Sequence, residues 1–138
     1  MCSATHVAAG ALLGSVFESR SIAFLLGFAS HIPLDMLPHV DFDDFRFDAA
    51  VSLGLLAGIY LVSGFSPVLL GALGAVAPDF ENLLWKIGWI REESKIFPTH
   101  SGLIRHGKAS GGGLRSEIVI SIASAGLVVI AIMLGGRH

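Results

Sequence analysis

Residues 27–44 read GFASHIPLDMLPHVDFDD, an apolar helical run that ends in two histidines and four aspartates within fourteen positions. The whole chain is 53% hydrophobic and 14% charged, with a mean hydropathy of +0.72. Soluble domains carry about 25% charged residues, so the balance predicts a membrane protein, and ionisable groups in a membrane helix are costly and functional by default. His31 and Asp35 stand one helical turn, ~5.4 Å, apart on one face, where a single ion could bridge them. Pro33 and Pro38 kink and then end the helix, releasing His39 and Asp41 into a turn from which a third ligand could swing inward. A hydrogen-bonded polar pair inside a helical bundle is the alternative reading of His31 and Asp35.

Working outward, the expected fold is all-α: an integral membrane bundle of about five short helices, two hairpins plus a C-terminal span, with an interfacial loop. The first hairpin joins residues 5–17 to 22–37 through the polar turn ESRS at 18–21. The second divides the uncharged residues 49–78 at SGFSP, 63–67, leaving two helices each short for a full crossing. Residues 118–136 carry no charge and form the strongest spanning signal. Residues 79–117 hold Trp85, Trp89 and six basic side chains, and read as a short interfacial helix followed by a loop. A chain of 138 residues forms one domain, 1–138. The start of the chain lacks a basic region before its apolar run, so it reads as mature structure rather than a signal peptide.

Cys2 is the one cysteine, which excludes an internal disulfide and any cysteine metal ribbon; a metal here must sit on nitrogen and oxygen. A net charge of −2 with scattered basic residues offers no nucleic-acid stripe. The run Asp41, Asp43, Asp44 and Asp48 reads as including solvated surface charges. Following the helices back and forth places His6, His31, Asp35, Asp79, His100 and His106 on one side. His6 lies in a first turn that Ser3 or Thr5 could cap, where a neutral, metal-binding imidazole is favoured over a cation. Asp79 and Glu81 follow directly on an uncharged helix. His100 and His106 flank Gly102 in a loop, with Arg105 placed to hold an anionic group. Taken singly, each has a bland alternative: an interfacial histidine, a proline-stopped helix end, a basic loop.

Four segments in order, THVAAGALLG (5–14), SHIPLDMLPH (30–39), GAVAPDFEN (74–82) and THSGLIRHG (99–107), resemble the YdjM-type family of membrane-bound metal-dependent hydrolases. The resemblance implies a small helical inner-membrane protein with a divalent metal site, distantly akin to the zinc-dependent phospholipase C and P1 nuclease fold. Carried over by residue, it matches Thr5 and His6, then His31 and Asp35, then Asp79. It departs at Glu81, where the family has aspartate, and at Ser101, with an extra residue before His106.

The expected activity is metal-assisted hydrolysis, in which a metal-activated water attacks a phosphoester, a lipid included, at the cytoplasmic interface. His6, His31, Asp35, Asp79, His100 and His106 are the expected metal ligands, and Asp35 and Asp79 the catalytic acids. Arg105 and Lys108 would bind substrate. Zn²⁺ is the first choice of cofactor, with Mn²⁺ or Fe²⁺ as alternatives. Two other readings stay open: a metal or proton carrier, and a non-catalytic membrane partner that keeps the motif. Basic residues gather in 80–115, so the positive-inside bias predicts a plasma (inner) membrane protein with that loop and the N-terminus cytoplasmic and His138 outside. A reporter fused after Arg115 should be active only as an internal fusion; activity on the external face alone would overturn this topology.

Overall fold

The computed structural model describes residues 1–40, 44–107 and 113–135, and among these residues it contains helices and no strand. The elements are α1 (Ser3–Val16), α2 (Arg20–Met36), α3 (Phe45–Ser63), α4 (Pro67–Val76), α5 (Asp79–Lys86), a single 3₁₀ turn (Glu92–Ser94) and α6 (Gly113–Gly135).

The helix boundaries follow from local chemistry. The Ser19 side chain accepts from the Ile22 N–H to open α2, which runs through Pro33 and stops before Pro38. Asp44 accepts from the Arg46 N–H at 2.9 Å to open α3. The expected break at 63–67 holds: Gly64 leaves α3 at φ 62°, and Ser66 caps α4 with Pro67 in its first turn. Because α3 begins at Phe45, it has 19 residues, where the sequence reading made it short. It is the one helix among the described residues that is by itself long and apolar enough to cross a membrane. Helices α4 and α5 reach that length and composition only as a pair bent by 47°, at the site of Pro78.

The start of α1 corrects two expectations. Cys2 occupies the N-cap without a side-chain cap bond, so neither Ser3 nor Thr5 caps the helix. Its free donors are satisfied from outside. Asp48 of α3 accepts from the Ser3 N–H at 3.1 Å and the Ser3 hydroxyl at 2.7 Å, and Glu117 of α6 accepts from the Cys2 N–H at 3.0 Å. Asp48 is therefore a half-buried clasp, while Asp44 is exposed; Asp41 and Asp43 lie outside the described residues.

Helix α4 packs against both α1 and α2 at backbone contact. The Gly71 carbonyl occupies the space that a Cβ on Gly10 or Gly27 would fill, and the Phe24 carbonyl does the same at Gly74. The apolar core is correspondingly thin: Val7, Ala11 and Ala72, flanked by Leu56, Ile59 and Val68 among others. The largest fully buried side chains are His6, His31, His39, Val7, Thr5 and Asp35, whereas Leu25, Leu53, Leu61, Val62 and Ile122 are exposed. Polar groups sit inside and large apolar ones outside, the reverse of the soluble pattern. At the end away from the buried histidines, Arg20 lies 5.3 Å over the Phe65 ring and ties the two hairpin turns together.

Gly71→Ala should therefore destabilise by about 1–3 kcal/mol through overpacking. Gly58→Ala, with open space around it, should leave thermal unfolding in detergent unchanged or raise it. Equal melting temperatures for the two variants would contradict this packing.

Candidate metal centre

The site forms where the N-terminus of α1, the C-terminal turn of α2, the start of α5 and the loop before α6 meet. Helical spacing stacks His31 over Asp35 as the sequence predicts, with His31 Nε2 3.2 Å from Asp35 Oδ2. Close α1–α2–α4 packing then brings His6 against His31, their rings stacked 3.8 Å apart and 12° from parallel. His6 Nε2 reaches Asp35 Oδ1 at 3.2 Å. The Pro78 bend turns Asp79 toward the same point, 3.7 Å from His31 Nε2. From the loop, Thr99 donates its hydroxyl to Asp35 Oδ2 at 2.7 Å, His100 Nε2 lies 3.4 Å from that oxygen, and His106 Nδ1 lies 3.5 Å from it.

Hydrogen bonding at the outer ring nitrogens sets the tautomers. His31 Nδ1 donates to the Ala75 carbonyl at 2.7 Å, and His39 Nδ1 donates to the Leu37 carbonyl at 2.8 Å. In the neutral rings both Nε2 lone pairs then face inward, the arrangement that metal-binding histidines use. His31 Nε2 meets His100 Nε2 at 3.3 Å, and His39 Nε2 meets His106 Nε2 at 3.0 Å. Asp79 Oδ2 is buried without a hydrogen-bond partner, as is His6 Nδ1.

Three sets of side chains each bring their ligand atoms within 4.8 Å of one another: His6, His31 and Asp79; His31, Asp35 and His100; Asp35, His39 and His106. A cation fits this donor set, because it would give the buried, incompletely partnered Asp79 carboxylate a positive neighbour and separate lone pairs that otherwise face each other. All six residues expected as ligands converge here. His39 joins them, swung inward from the turn after Pro38.

Glu81, the second acid of the PDFEN segment, belongs to none of these sets. It accepts from the backbone N–H groups of Ile96 and Phe97 and lies 3.4 Å from His100 Nδ1 without hydrogen-bond geometry. Its work is to hold the loop that delivers Thr99 and His100. Sequence reading passed over Asn82 and Thr99; Asn82, one turn after Asp79, places its amide nitrogen 3.1 Å from His100 Nε2. Position i+3 from an expected ligand was the available signal.

A cavity of about 400 Å³ opens from Asp35, Asp79, His100 and His106 and is walled by Phe45, Leu83 and Trp85. Lys86 and Lys95 line it, whereas Arg105 is exposed and is not among its lining residues. Lys108, the other cation expected at the substrate, lies outside the described residues. Burial lowers the Lys95 ammonium from its usual pKa, opposed by Glu92 and Glu81.

Cys2, beside the site, is buried and contacts the Thr5 hydroxyl at 3.1 Å. Burial, reinforced by Glu117, pushes its thiol up to about 12, so it carries no thiolate near neutrality.

Comparison of the chain with family models, with curated proteins and with solved structures gave no match.

Glu81→Ala leaves two backbone donors without their acceptor and should cost about 1–3 kcal/mol, with faster hydrogen exchange at Ile96 and Phe97. Unchanged exchange at those two amides would remove Glu81 from its bracing role.

Proposed function

We propose that the protein is a membrane-bound, metal-dependent hydrolase acting on a phosphoester. The observation that carries this reading is the convergence, from four separate segments, of inward-turned imidazole nitrogens and two carboxylates at the base of a cavity. A structural polar network would need each buried group to find a partner within the protein. Here Asp79 Oδ2 is one of several buried polar atoms without a hydrogen-bond partner, and the one of them that is a carboxylate oxygen, which a ligand and a reacting water explain. The resemblance of the four short segments to the YdjM-type family supports the same reading.

In this account His6, His31, His39, His100 and His106 would hold the ion or ions through neutral imidazoles, with Asp35, common to two of the sets, as a carboxylate ligand. Zn²⁺ suits this nitrogen and oxygen set, with Mn²⁺ and Fe²⁺ as alternatives. A divalent ion bound here supplies a water of lowered pKa and a positive charge opposite a phosphoryl oxygen. Asp79 Oδ2 accepts the proton of the attacking water. Thr99, donating to Asp35, and Ala75, accepting from His31, fix the two central ligands in place.

The exterior of the bundle supports a bilayer setting. Helix α3 is hardly buried within the protein, so it does not resemble the core helix of a soluble domain, and exposed Leu53, Leu55, Leu61 and Val62 would meet lipid acyl chains. Placing the site at the ends of these helices puts the cavity at the level of lipid headgroups, on the cytoplasmic side by the positive-inside bias. A metal or proton carrier is the second reading; the cluster at one end of the bundle, rather than midway along it, favours the hydrolase.

Metal-replete protein should hydrolyse a generic nitrophenyl phosphate ester, and Asp79→Asn should lower kcat by roughly 10²- to 10⁴-fold as expected for loss of a general base. Turnover indifferent to Asp79→Asn, or metal uptake into proteoliposomes without hydrolysis, would contradict the proposal.

A further inference from the structure

The cavity brings opposite charges together. Asp35, Asp48, Asp79 and the imidazoles of His100 and His106 line it, and so do two lysines set on one aromatic ring. Lys95 Nζ lies 3.7 Å from the Trp85 ring centroid and Lys86 Nζ 4.8 Å from it. Cation–π attraction holds both ammonium groups beside the mouth, against the like-charge repulsion that would otherwise spread them. Lys86 extends from the last turn of α5, where a cation is favoured. Lys95 comes from the segment that Glu81 ties down through Ile96 and Phe97. Two separate elements thus deliver two positive charges to the lining of one cavity.

We propose that Lys86 and Lys95, held against Trp85, form an anion subsite at the cavity mouth, and that its ligand is a terminal phosphate monoester group. The charge count selects this class. A phosphate monoester carries about −1.5 to −2 near neutrality, which two ammonium groups match; a diester carries a single charge. Apolar Phe45, Ala49 and Leu83 also line the cavity, beside polar Ser3 and Asn82, and can accommodate the carbon skeleton between the subsite and the buried cluster. The subsite replaces Arg105, which is exposed and does not line the cavity, as the anchor for an anionic substrate. Its role as part of a substrate site rests on the hydrolase reading above, but the anion binding itself does not.

The phosphate monoester could be free or carried on a lipid, and the test has an arm for each. Purified protein in detergent is titrated with glycerol 3-phosphate, and separately with nanodiscs containing phosphatidic acid or only phosphatidylcholine, using tryptophan fluorescence and calorimetry. The expected result is saturable binding of at least one phosphate monoester, weakened about 10- to 100-fold by K86Q/K95Q and retained in K86R/K95R, with metal content equal in all three proteins. Preference for glycerol 3-phosphate assigns a soluble ligand; preference for phosphatidic acid nanodiscs assigns a lipid. Failure of the wild-type protein to bind either probe, or equal binding by K86Q/K95Q, overturns the subsite. Lysine-dependent binding by protein that holds no metal would keep the subsite and remove the hydrolase reading instead.

Discussion

A carboxylate sealed inside a helical bundle must be compensated, and Asp35 is that carboxylate. It is 1% exposed, and its two oxygens lie within 3.5 Å of Thr99, His6, His31, His100 and His106 as well as the amino group of Met1. Charge buried without such partners would cost several kcal/mol. Every long-range feature around the site serves that requirement. The Pro78 bend delivers Asp79, Glu81 braces the loop that delivers Thr99 and His100, and the carbonyls of Ala75 and Leu37 orient His31 and His39.

The bundle reaches this arrangement by letting backbones touch. Four imidazoles cannot crowd one carboxylate unless α1, α2 and α4 approach closely, and Gly10, Gly27, Gly71 and Gly74 remove the side chains that would keep them apart. Small residues at the contact leave little apolar volume for a conventional core, which explains why histidines outrank leucines among the buried side chains. The large apolar residues are displaced to the outer surface. That inversion is costly in water and neutral in lipid, so the site's chemistry and the proposed membrane setting follow from the same packing.

Much of this was legible in the sequence because it is local. Period and breakers placed the helices, and the four-residue spacing of His31 and Asp35 put both on one face. Following polar helix ends across alternate turns predicted that His6, Asp79, His100 and His106 would gather with them. Most of what escaped depended on contacts between distant segments. Asp48 and Glu117 look like surface acids until α1 presents its unsatisfied N–H groups to them. The length of α3 was underestimated because Asp44 begins the helix before the apolar run does. Arg105 was chosen for its closeness in sequence to His106, yet a loop side chain turns out as readily as in, while Lys86 and Lys95 reach the cavity because Trp85 holds them there.

The central claim is that a divalent cation completes the cluster around Asp35, and elemental analysis of the purified protein, paired with thermal unfolding before and after chelation, tests it most directly. The account predicts zinc, manganese or iron at one or more equivalents and a melting temperature that falls on chelation, since an ion bound only by the folded state adds its binding free energy to folding. It further predicts that His31→Ala empties the site and no longer responds to chelator. Protein free of these metals, with a melting temperature indifferent to both chelator and His31→Ala, would contradict it and leave the buried histidines as hydrogen-bonded structure.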